Sequence, residues 1–135
     1  MAQILGWLAL AYGVGIAAPP LVYGLFGQLN SSYTSIALPV AFGAAHIISA
    51  VASLRGSLRA FWVLNALFLL QSIEYVSESF SFSLIGPVSI KLILAFSSSR
   101  AFLGVNVLAI VLAALAAIAA SRTQPSITRE TNPGA

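Results

Sequence analysis

The chain has no cysteine, one histidine, one methionine and three acidic residues among 135. Without thiols it forms no disulfide, no thiolate metal site and no cysteine nucleophile. One histidine with no thiol and no neighbouring acid makes a poor metal site, so neither a metal nor a cofactor is expected. Charge of either sign is scarce: Asp, Glu, Lys and Arg make up 7% of the residues, against roughly 25% in a soluble domain. The six basic residues stand apart at the ends of apolar runs. A net charge of +3 and a pI near 9.8 therefore do not indicate nucleic acid, because no basic cluster exists to neutralise phosphates. A glycine-rich phosphate loop, a nucleophile elbow and a His-Glu-x-x-His helix are all missing.

What the chain has in abundance is apolar surface. Hydrophobic residues are 59% of the total and the mean hydropathy is +0.98. A soluble fold of this size lacks the polar residues to cover so much apolar area, so the lipid bilayer is the expected solvent and first partner. The expected fold is an all-α integral membrane protein, a four-helix transmembrane up-down bundle within residues 1–121. Its spans fall at about 4–26, 34–54, 60–80 and 101–121, each near the ~20 residues that cross the hydrocarbon as helix. The first, second and fourth carry no Lys, Arg, Asp or Glu. The first has no basic residue before its apolar run and is too long for a signal-peptide core, so it reads as a retained helix. Pro19 and Pro20 remove backbone donors inside it.

The links at 27–33 and 55–59 are short and force antiparallel neighbours. The link between the third and fourth spans is longer. Its middle, residues 84–96, is apolar apart from Lys91 and is too short to span, so an interfacial or re-entrant segment is expected there. The tail 122–135 is polar, contains Pro125 and Pro133, and is expected to be disordered. Arg55, Arg59, Arg122 and Arg129 fall on one side of the bundle and Lys91 and Arg100 on the other. That asymmetry places both termini, and the tail, in the cytoplasm. Asn30–Ser31–Ser32 then lies outside as the chain's sole glycosylation pattern. Its closeness to the membrane weighs against Asn30 carrying a glycan.

Carboxylates near a bilayer core are costly and mark candidate sites. On a helical third span, Gln71, Glu74 and Glu78 fall within an arc of about 60°, with Asn65, Ser72 and Ser79 on a second polar stripe. Glu74 and Glu78, one turn apart, are the candidate catalytic pair, because like charges at that spacing share a proton. His46, in the middle of the second span, is the third candidate; its depth matches Gln71 better than Glu74, so Gln71 or a backbone carbonyl is its expected partner. Gln71, Asn65 and Lys91 are the candidate substrate-binding residues, and Lys91 also serves as a counter-ion for the glutamates. Small residues at Ala9, Gly13 and Ala17, and along 104–120, favour close helix packing.

Three functions fit this pattern. The first is an accessory or scaffold subunit holding a partner membrane protein, which suits a chain with no soluble domain and few ionisable groups. The second is a membrane-embedded enzyme, a cyclase or isomerase, using Glu74 as a sheltered acid on a lipophilic terpenoid, sterol or polyketide. The third is a proton-coupled carrier.

Overall fold

The computed structural model describes residues 2–25, 33–84, 86–96 and 100–123. Asn30, with its glycosylation pattern, and most of the tail 122–135, expected to be disordered, lie outside them. In chain order the elements are α1 (Ala2–Leu25), α2 (Tyr33–Leu54), α3 (Leu58–Leu70), β1 (Ile73–Val76), β2 (Ser81–Ser83), β3 (Lys91–Phe96), β4 (Ala101–Asn106) and α4 (Val107–Thr123). Among the described residues, α1 and α2 are long and apolar enough to cross a membrane; α3 and α4 are shorter apolar helices. The fold is mostly helical with a small antiparallel sheet, rather than four full-length spanning helices.

Helices α1 and α2 approach closely because glycines face each other. A Cβ on Gly13 would strike the Gly43 carbonyl and His46, and a Cβ on Gly43 would strike Ala17 and the Gly13 carbonyl. Missing side chains let the two backbones meet, as the small-residue spacing of α1 predicts. The turn from α2 to α3 is closed by Gly56 at φ +82°. Gly56 N donates to Ser53 O and Ser57 N to Ala52 O, a left-handed cap that satisfies the last carbonyls of α2. Ser57 then caps α3 by accepting from Ala60 N. The core draws on all four helices: Ala9, Tyr12, Ala50, Phe61, Leu64, Phe68, Leu112 and Ala116 are all buried.

The third span departs most from expectation. Helix α3 stops at Leu70, and Glu74 lies on a strand. The physical cause is local. Beyond Leu70 the sequence partly alternates, with Ile73 and Phe82 each between polar residues, and it is rich in β-branched, aromatic and serine residues. Period-two alternation favours a strand, and serine hydroxyls compete for backbone partners. Ser72 Oγ donates to Leu69 O at the break. Correspondingly, residues 101–106 of the expected fourth span are β4, and 91–96 of the expected re-entrant segment are β3. A segment that alternates or lies beside a pairing partner takes the sheet even when its average hydropathy matches a membrane helix.

The sheet order is β2-β1-β4-β3, antiparallel throughout. It continues the α3–α4 pair: α3 runs into β1, β1 pairs with β4, and β4 runs into α4. The register separates two faces. Glu74, Ser83, Gly104 and Ile93 share one row, and Asn106 and Lys91 another, so these fall on one face with Val76, Ser81, Phe102 and Ala95. The other face carries Ile73 and Tyr75 of β1 and Phe82 of β2. From the remaining strands it carries Leu103, Val105, Leu92, Leu94 and Phe96. This second face has no polar atom except the Tyr75 hydroxyl, and most of it is exposed. The connection from β2 to β3 folds back on α1: Tyr12 Oη donates to Val88 O at 2.9 Å, and Gly15 lies against Pro87.

Candidate functional site

Polar side chains gather where the sheet meets the helices. Gln71 caps α3, and its backbone N–H reaches back to the last turn. Asn106 ends β4 and caps α4, with Oδ1 accepting from Ala109 N and from Ile90 N. Both side chains are buried. With Glu74, Lys91 and Gly104 they line one crevice, which has no room for a water molecule.

Glu74 is the centre of this cluster. Its carboxylate lies across β4 to meet Lys91 Nζ at 2.5 Å through Oε2, and Oε1 accepts from Ser83 Oγ at 2.9 Å. Strands β1 and β3 are not neighbours, so the two side chains bridge two strand spacings, about 10 Å. Gly104 makes this strap feasible. It stands directly opposite Glu74, and a Cβ there would come within 3.1 Å of Oε2. The carboxylate thus has a cation and a hydroxyl as its partners.

Glu78 lies apart. Its carboxylate meets Arg100 Nη1 at 3.1 Å with both side chains exposed, a surface pair of little energetic weight. The expected coupled pair of glutamates is thus not formed: each carboxylate has its own cation. The acidic helical stripe of Gln71, Glu74 and Glu78 is likewise absent, because only Gln71 touches α3.

His46 is fully buried among aromatic rings, with Phe42, Phe68 and Tyr12 at centroid distances of 5.0, 5.2 and 6.1 Å. Its Nδ1 donates to the Phe42 carbonyl at 3.1 Å, so Nε2 is the lone-pair nitrogen of the neutral ring. Nε2 has no partner, and neither has either amide atom of Gln71. Of the two partners expected for His46, the backbone carbonyl is the one it has. Asn65 does not join the cluster; its Nδ2 donates across the helix pair to Ala113 O at 2.8 Å. Among the described residues, no group of three His, Asp or Glu side chains is placed to hold a metal.

Sequence reasoning missed Tyr12, Gly104 and Ser83. Tyr12 carried a signal, since a phenol in mid-helix apolar sequence needs a partner for its hydroxyl. The contributions of Gly104 and Ser83 depend on strand register, which no helical periodicity displays. Comparison with known proteins gives no match to a family model, to a curated protein or to a solved structure.

Proposed function

We propose that this chain is a small integral membrane protein serving as an accessory or scaffold subunit of a membrane enzyme system. One observation carries the proposal. Glu74, the sheltered carboxylate that acid–base chemistry would need, is occupied by Lys91 and Ser83 in a crevice without room for a water molecule. A carboxyl held ionised by an adjacent ammonium is a poor proton donor.

In the proposed arrangement α1 and α2 cross the bilayer as helices. The 13 residues of α3 reach about 20 Å, and the four of β1 add about 13 Å. Together the two match a hydrocarbon core of about 30 Å. The β4–α4 arm is longer, so the α3–β1/β4–α4 hairpin completes the crossing with its sheet toward the outer side and both termini inside.

Deletion of the chain in its own cells, followed by blue-native electrophoresis of their membranes, tests the role. A larger membrane complex should lose abundance or assembly, and be restored by the wild type and by His46→Phe alike. Turnover of a lipophilic substrate by the purified chain alone, abolished in Glu74→Gln at equal protein level, refutes the scaffold role.

The enzyme reading retains one specific support. Nε2 of His46, the Gln71 amide and Nδ2 of Asn106 are buried polar atoms without partners, an arrangement native folds rarely leave without a cause.

A further inference from the structure

The sheet has two edges of opposite character. Edge strand β2 is three residues long, with serines at both ends. Edge strand β3 is six residues, Lys91–Phe96, and every residue after the lysine is apolar and exposed. Short polar edges resist pairing with other chains; long apolar ones invite it unless a charge guards them. The one charge on β3 is withdrawn, since Lys91 turns across the sheet to Glu74.

The ladder fixes which backbone groups are open. Val107 N donates to Ile90 O, and Asn106 N to Ser72 O. Antiparallel pairing alternates, so Leu92, Leu94 and Phe96 bond to β4 while Lys91, Ile93 and Ala95 turn N–H and C=O outward. The same strand belongs to the largely exposed apolar face of the sheet, and Leu69 and Leu70 at the end of α3 are exposed as well. On the proposed membrane arrangement that face meets lipid, where each unpaired backbone group costs several kcal/mol. An open edge cannot stand there.

We infer that β3 pairs antiparallel with β3 of a second copy about a two-fold axis, joining two sheets into one of eight strands. The inference rests on the membrane reading above. An antiparallel edge is self-complementary under a two-fold axis. Centred on Ile93, the pairing sets Ile93 opposite its own copy and Lys91 opposite Ala95 of the second copy. No like charges meet, and each Lys91 keeps its own Glu74. Among the described residues every other strand edge is paired or short.

Single cysteines test this cleanly, because the chain has none of its own. In membranes, Ile93→Cys should give a disulfide-linked homodimer on mild oxidation, since paired Cα atoms lie about 5.5 Å apart and disulfides accept that spacing. Ile48→Cys, equally exposed on α2, should give at least tenfold less. Adding Ala95→Pro should abolish the link, because the Ala95 N–H is not used by β4; Ala95→Lys is the second block if the proline variant is not recovered. Absence of a dimer at Leu92→Cys, Ile93→Cys and Leu94→Cys, with protein retained in membranes after an alkaline wash, overturns the inference alone. Equal cross-linking at Ile48, or a link to a different protein, overturns it too. Release of the chain by the wash overturns the membrane reading and the inference with it.

Discussion

Breaking the strap between Glu74 and Lys91 is the sharpest test of how this fold is held. The side chains are 13% and 23% exposed, so the pair is neither a free surface contact nor fully enclosed. Exposed pairs contribute about 0–1 kcal/mol, a hydrogen bond to a charged group about 1.5–3 kcal/mol, and loss of one partner from a buried pair costs about 3–5 kcal/mol. Lys91→Met should therefore destabilise by about 2 kcal/mol, leaving Glu74 with Ser83 alone. Glu74→Gln should cost somewhat less, since the amide still accepts from Ser83. The double variant should lose about as much as either single one, giving a coupling near 1–2 kcal/mol. Reversible unfolding in mixed micelles, followed by circular dichroism, reads these differences. Additive single losses would show that the contact has no energetic weight.

Other substitutions probe single features. Gly104→Val places a side chain against the Glu74 carboxylate and should reproduce most of the Lys91→Met loss, with little further loss when the two are combined; the same unfolding assay checks it. Gly86→Ala would drive a methyl group into the Tyr12 ring, so a loss of about 1–3 kcal/mol is expected, with a change in tyrosine near-ultraviolet dichroism. Asn106→Ala removes the cap of α4 and the bond from Ile90 and should cost about 1–2 kcal/mol in thermal or denaturant unfolding. Gln71→Leu removes a buried amide with no hydrogen bond and should leave stability unchanged or raised by about 1 kcal/mol. A loss of cellular function in that variant despite intact stability would assign Gln71 to ligand contact.

The helical half of the fold was legible because its signals are local. Gly13 and Gly43 sit in long uncharged runs, and the α2–α3 turn was marked by Arg55–Gly56–Ser57, where glycine alone accepts the left-handed backbone at low cost. The sheet was hidden by averaging. A window of about 20 residues blends the more polar 73–80 with apolar α3 and 101–106 with apolar α4, so both read as ends of membrane helices. The period of the pattern carried the correct information: Glu74, Val76 and Ser83 on one side, Ile73, Tyr75 and Phe82 on the other. For β3 even the period is silent, because Leu92 to Phe96 is apolar at every position and only the pairing with β4 decides its form.

The change from helix to strand alters the chemistry of the acidic residues more than it alters the fold. One helical turn separates residues four apart by about 6 Å on the same stripe, close enough for two carboxylates to share a proton. Here β1 ends at Val76 and Glu78 lies in the turn to β2, so the two carboxylates share no stripe, and the neighbours that matter become those across the ladder. Glu74 consequently answers to Gly104, Ser83 and Lys91, and Glu78 to Arg100. A proton-sharing dyad, and with it the simplest form of acid catalysis or proton relay, needs α3 to continue through residue 78. The break at Gln71 and Ser72 prevents that. Replacing Ser72 by Ala removes the hydroxyl bond to Leu69 O that competes with the helix at this point. Yet it should not extend α3, because Asn106 N still holds Ser72 O in the ladder at 2.8 Å. Backbone pairing with β4, rather than the preference of any single side chain, therefore keeps the two carboxylates apart.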